Sequence, residues 1–194
     1  VGSTSIFPLG LYSKTLKSVD DFKQGDEIAV PNDSINLSRS LNLLKQQGLV
    51  SFTKDTIAPT EQDVDTDKSK IKVRPVSAEQ TVLSMDSVAA SVVNNDFLDR
   101  ANLEPESALA QDDPTADSAK VYDNIFASTE ANADDETLKK VAGFYYDDKV
   151  QEAEKKETKG TAVPTKVDQQ ELKDLLTRYS QDLKDQTKCC LLYT

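Results

Sequence analysis

The sequence predicts an α/β protein with parallel strands, and three observations carry that expectation. Apolar runs of strand length, Ile28-Ala29-Val30 and Val88–Val93, stand well apart in the chain. Stretches with helical spacing alternate with them: Leu37, Leu41 and Leu44 fall at i, i+4 and i+7, one stripe of a helix. Breakers separate the two patterns, as at Pro31-Asn32-Asp33-Ser34, where a proline that cannot donate to a sheet ladder meets three turn-forming residues. The order reads β-loop-α-β-α-β and then helices.

Near the start, Ile6-Phe7-Pro8-Leu9-Gly10-Leu11-Tyr12-Ser13 is extended and apolar, and Pro8 marks a strand start or crossover. Ser18–Phe22 reads as a short helix start with acids in its first turn. The stretch Gly25–Val50 is a strand–loop–helix unit. Its helix is expected from about Leu37 and ends at Gly48 as a C′ residue, with Leu49 and Val50 returning to the core. The loop of such a unit lies where open α/β sheets hold their ligands. Arg39 would then fall in the first helical turn, where the positive end of the dipole disfavours a cation. A guanidinium fork beside free N–H groups suits a carboxylate or phosphate. A solvent-exposed arginine tolerated at small cost is the other reading.

Further along, Asp63-Val64-Asp65-Thr66-Asp67 has the opening of a calcium loop but carries Lys68 at the sixth position and Arg74 at the twelfth, so a solvated loop is expected. Lys70–Val76 alternates like a half-buried strand, and Ala78–Asp86 places Val82, Leu83 and Met85 on a short helix. Val88–Val93 is continuously apolar, the mark of a strand covered on both faces. It ends in Asn94-Asn95-Asp96-Phe97, whose amides suit a ligand's ammonium or carboxylate, and which is equally a common turn. Asp112–Asp117 is an acidic loop and Asn124–Ala127 a short strand. Asp134–Lys159 reads as one long helix or two, with Leu138, Val141, Ala142 and Tyr145 inward. Asp168 and Glu171 form a capping pair before a helix striped by Leu172, Leu175, Leu176, Tyr179 and Leu183.

Composition narrows the function. The chain has 194 residues with 34 acidic against 23 basic, a net charge of −11, which argues against binding a phosphate backbone. No run approaches the roughly 20 apolar residues of a membrane span. Histidine is absent, which removes the commonest general base and metal ligand. The two cysteines, Cys189 and Cys190, are adjacent near the end and make neither a staple nor a tetrahedral site unaided. No Gly-rich phosphate loop and no nucleophile with a neighbouring base is present, so neither an enzyme nor a cofactor is expected. The chain begins at Val1 without a signal peptide, and is expected to be a piece of a longer or processed protein.

The segments IFPLGLYSKTLKSVDDF and IAVPNDSINLSRSLNLLKQQGLV, then KIKVRPVSAEQTVLSMDSVAASVVNNDF, SAKVYDNIFAST and DDETLKKVAGFYYDDKVQEAEKKETKGTAVP, resemble in unbroken order the NlpA-type lipoproteins, the methionine-binding subunits of bacterial ABC importers. PND-x-x-N-x-x-R and VVNND are the most specific parts. The resemblance implies a type II periplasmic-binding-protein-like fold of two α/β lobes, with the N-terminal part of one lobe lying before Val1. It divides the chain into residues 1–13 as a crossover and strand of lobe one, 14–96 as lobe two, 97–186 as the rest of lobe one, and 187–194 as a disordered or artefactual tail. It implies that Arg39 grips an amino acid's carboxylate, that Asn36 assists at the same helix entry, and that Asn94, with Asn95 and Asp96, meets the ligand's head group. Leu37-Ser38 stands where many relatives carry two glycines, and Asp96 where they often carry Asn. The implied function is an extracytoplasmic lipoprotein that delivers methionine or a related amino acid to ABC permease subunits, held to the membrane by a lipid anchor outside this chain. A ligand-sensing regulatory domain on the same scaffold is the alternative.

Overall fold

The structure, a computed structural model, describes residues 2–56 and 58–191, with side chains described throughout except at 117 and 182–191. The chain divides into two units: Leu9–Asp112, and Val1–Pro8 with Asp113–Thr194. The sequence reading sets the cuts after residues 13 and 96. They fall elsewhere because residues 10–12 and 110–111 hydrogen-bond into the sheet of the central unit. The side chains of Leu183 in the last helix and of Cys189 and Cys190 in the expected tail lie outside the described residues.

Two short strands, β1 (Gly2–Ser3) and β2 (Ser5–Ile6), precede Pro8. The central unit then contains β3 (Gly10–Tyr12), β4 (Glu27–Pro31), helix α1 (Ser34–Gln46), β5 (Lys72–Val76), helix α2 (Ala78–Ser84), β6 (Ala90–Val93) and β7 (Ala110–Gln111). Its sheet runs β5-β4-β6-β3-β7. The three strands β5, β4 and β6 are parallel, as expected, whereas β3 and β7 are antiparallel to their neighbours, so the sheet is mixed. The apolar runs form the middle: Ile28, Ala29, Val30 and all four residues of β6 are buried. Pro75 sits in β5, an edge strand, where the lost ladder donor costs little.

Strand alternation sorts the core into two layers. Leu9, Leu11, Ile28, Val30, Ala90 and Val92 pack with Leu43 and Leu44 of α1, closed by Phe22, Leu49 and Ile71. Tyr12 and Val93 pack on the other face with Met85, Leu98 and the partly buried Val82 of α2. The chain leaves β4 towards β5 through α1 and returns past β4 to β6 through α2. Right-handed crossovers in opposite directions lay their helices on opposite faces. That makes the gap between β4 and β6 a topological switch point, open at the carboxyl ends of both strands.

Helix α1 begins at Ser34, three residues before the expected start, because Asp33 acts as its N-cap and accepts from Asn36 N at 2.9 Å. The polar cluster read as a turn is therefore a cap. At the other end Gly48 takes φ 69°, with Gly48 N bonded to Lys45 O and Leu49 N to Leu44 O, both at 2.9 Å, a Schellman closure.

The calcium-like run binds itself instead. Asp63 caps its own 3-10 turn through Thr60 N at 2.8 Å and pairs with Lys54 at 2.8 Å. Among the described residues no group of three or more His, Cys, Asp or Glu is arranged to hold a metal ion.

In the second unit β1 pairs with β8 (Ile125–Phe126), and β2 with β9 (Val163–Pro164), both antiparallel. The expected long helix is two, α3 (Glu136–Gly143) and α4 (Asp148–Glu157), joined by a 3-10 turn at Phe144–Tyr146. Of the residues placed inward, Ala142 is buried, Leu138 and Tyr145 are half-buried, and Val141 is exposed. Asp168 caps α5 (Gln169–Leu191) through Gln170 N and Glu171 N at 2.8 and 2.9 Å. Glu171 reaches Lys120 at 2.8 Å. The α5 stripe is only half-buried and Leu176 is exposed. Polar bonds fix this unit: buried Ser3 donates to Tyr146, whose hydroxyl donates to Thr165 O at 2.5 Å, and Tyr145 donates to the Glu154 carboxylate at 2.6 Å while buried Ser5 bonds its oxygen.

Two consequences are measurable. A Cβ on Gly10 would stand 2.5 Å from the Tyr12 ring, which lies over it in the second core layer. Gly10→Ala should destabilise the central unit by about 1–3 kcal/mol, read as a lower urea midpoint with unchanged slope. Burial, with help from the Glu154 carboxylate, pushes the Tyr145 hydroxyl up to about 12. A phenol titrating above its unfolded value of about 10 contributes stability that is whole below that pH and lost as pH rises towards the folded value. Tyr145→Phe should therefore show a smaller fall in urea midpoint across this alkaline window than the unsubstituted protein.

Candidate functional site

The carboxyl edge of the sheet gathers polar groups at the switch point. Arg39 lies on α1, the helix that leaves β4, and Asn94 is the first residue after β6. Because β4 and β6 are parallel neighbours, with Ile28 opposite Ala90, both emerge on the same edge.

Arg39 is buried, at 8% exposure, so the reading of it as a solvent-exposed arginine does not hold. It stands in the second turn of the helix, since α1 starts at Ser34, so the dipole argument for a first-turn cation does not apply. One group that answers the charge is Asp112. Arg39 Nε donates to Asp112 Oδ2, and Asp112 Oδ1 accepts from Leu9 N at 2.8 Å. Removing two charges from water is costly unless they are paired and hydrogen-bonded, and this pair meets both conditions. Asp112 is the residue that sequence reasoning passed over. It was visible only as the first acid of an exposed-looking loop.

Register ties Asn94 to the same place. Gly10 faces Val93 on one side and Gln111 on the other, so one step along β3, Leu9 lies between Asn94 and Asp112. Asp112 N donates to Leu9 O at 3.1 Å, in keeping with that count. The Asn94 amide oxygen is sealed from solvent and has no hydrogen-bond partner. A buried acceptor left without a donor costs about 1–3 kcal/mol, which makes it a point that a ligand N–H would relieve.

The other sequence-predicted residues contribute differently. Asn36 is half-buried and its amide donates to Asp33 Oδ2 at 3.1 Å, so it belongs to the helix cap. Asn95 is half-buried and Asp96 exposed on the 3-10 turn Asn95–Phe97 that Asn94 starts. Leu37 packs against the first core layer. Ser38 is buried, and its hydroxyl has no partner. These two residues thus face inward on the helix.

A sheet covered by a helix on each face, with a buried guanidinium and a sealed amide acceptor at its switch point, has the α/β architecture of the periplasmic-binding-protein fold. Solved structures agree. Protein PG110 from Staphylococcus aureus superposes with a TM-score of 0.83 at 30% identity, covering 91% of this chain and 70% of that one. A nutrient binding protein from Burkholderia cenocepacia, solved bound to methionine, gives 0.75 at 33% identity, with 84% and 68% coverage. The profile of the NlpA lipoprotein family matches residues 1–166, and the chain belongs to that family. The probable D-methionine-binding lipoprotein MetQ of Vibrio cholerae is 36% identical over 164 residues, 84% of this chain and 60% of the relative. The chain thus spans about 60% of the length of that curated relative.

The cap that sets the register of α1, and with it the height of Arg39, is testable alone. Asp33→Ala should lower stability by about 1 kcal/mol, the usual loss for an N-cap carboxylate, seen as a reduced thermal midpoint.

Proposed function

We propose that this protein is the extracytoplasmic solute-binding component of an ABC importer, taking methionine or a related amino acid and delivering it to permease subunits. The observation that carries the reading is Arg39, a buried guanidinium at a switch point, with the sealed Asn94 amide oxygen on the same edge. A guanidinium suits a carboxylate by geometry as well as charge, and an amide oxygen suits an ammonium. Together they match the two ends of an amino-acid head group. Asn36, Asn95 and Asp96 border the same edge as secondary contacts. The names of the MetQ relatives and the methionine-bound neighbour support the choice of ligand.

Several parts of this reading rest on the family. The protein binds and hands over its ligand rather than transforming it, and it needs no cofactor. A lipid anchor outside this chain holds it to the outer face of the cell membrane. The unit Leu9–Asp112 supplies the head-group contacts, and selectivity for the ligand's side chain comes from residues beyond that unit.

Titration calorimetry with methionine tests the assignment. Arg39→Ala in the full-length protein should weaken binding by about 2–4 kcal/mol, the range for losing one partner of a desolvated, hydrogen-bonded charge pair. Arg39→Lys should also bind poorly, because an ammonium lacks the two-pronged fork. Unchanged affinity in both variants would remove Arg39 from the site.

A further inference from the structure

We infer that Asp112 is a positioning residue for Arg39 and that its fixed charge makes the site select dipolar α-amino acids over simple carboxylates. The inference rests on the amino-acid reading above and adds to it the source of head-group selectivity.

Both oxygens of Asp112 are engaged. Oδ2 accepts from Arg39 Nε, and Oδ1 accepts from Leu9 N at 2.8 Å. The Leu9 bond anchors the carboxylate to the backbone beside β3, so Asp112 cannot swing away when a ligand arrives. Contact through Nε also fixes the plane of the guanidinium, and with it the direction in which the fork faces. The side chains of Arg39 and Asp112 are only 9% and 14% exposed, so solvent and salt screen the pair weakly.

A bare carboxylate drawn to Arg39 must settle beside the fixed anion of Asp112, which repels it. An α-amino acid brings an ammonium with its carboxylate, and the same anion attracts that ammonium. The acceptor for that ammonium is at hand, since Leu9 separates Asp112 from Asn94, whose amide oxygen lacks a donor. Placing like charges side by side is how binding sites reject a wrong partner, and here the rejection is built into the residue that aims the guanidinium.

The test compares methionine with desaminomethionine, the same molecule without its ammonium, by calorimetry on the full-length protein. Unsubstituted protein should prefer methionine by about a hundredfold or more, since a site lined with groups for a polar substituent rejects the analogue lacking it strongly. Asp112→Asn keeps the shape and the acceptor for Leu9 N but removes the charge, and should shrink that preference by at least about tenfold. Asp112→Glu, which restores the charge, should recover much of it. A merely structural role predicts that Asp112→Asn weakens both compounds equally, and an unchanged ratio overturns the inference. Should Asp112→Asn fail to fold, exchange of the Arg39 Nε proton in the methionine complex decides. Slow exchange is expected, and exchange as fast as that of an exposed arginine overturns the inference. Unsubstituted protein that binds neither compound would overturn the amino-acid reading itself, a result distinct from an unchanged ratio.

Discussion

A charge buried beside a β-sheet must be answered, and the way Arg39 is answered shapes the edge of the central unit. Asp112 meets it from the end of β7, and Asp112 is in turn held by the backbone of Leu9 at the start of β3. The two antiparallel strands thus extend a parallel three-stranded core and also carry the counter-charge to the point where α1 presents the guanidinium. Without β3 and β7 the first core layer would lose Leu9 and Leu11, and Arg39 would lose its bond to Asp112.

The polar groups at the switch point differ in how they are satisfied, and the difference separates scaffold from binding surface. Asn36 spends its amide on the cap of α1 and is internally complete. Asn94 is not, although its oxygen is shielded from water. Proteins rarely leave a buried acceptor without a donor, so an exception at the mouth of a switch point directs attention to a ligand.

Much of this was legible in the chain itself. The continuous apolar runs of β4 and β6 identify buried central strands, and the residues that follow them are where such sheets put their ligands. The start of α1 was less legible, because Asn32-Asp33-Ser34 has the chemistry of a turn and of a cap alike; only the bond to Asn36 N decides. Asp112 could not be found by pattern at all. Its link to Arg39 spans 73 residues and depends on the register of β3 against β7, where β7 is only two residues long and carries no periodicity. Val141 was misplaced because helical spacing gives a stripe, and the stripe does not say which part of it the neighbouring elements cover.

That long reach has a consequence for how the protein is made. Ribosomes add roughly 5–20 residues per second, so the 73 residues between Arg39 and Asp112 correspond to roughly 4–15 s of synthesis. By the end of that interval the nascent chain has added the rest of α1, then β5, α2 and β6, and only then gains the Asp112 carboxylate that pairs with its arginine. The central unit reaches its final electrostatic state only when its last residue has emerged.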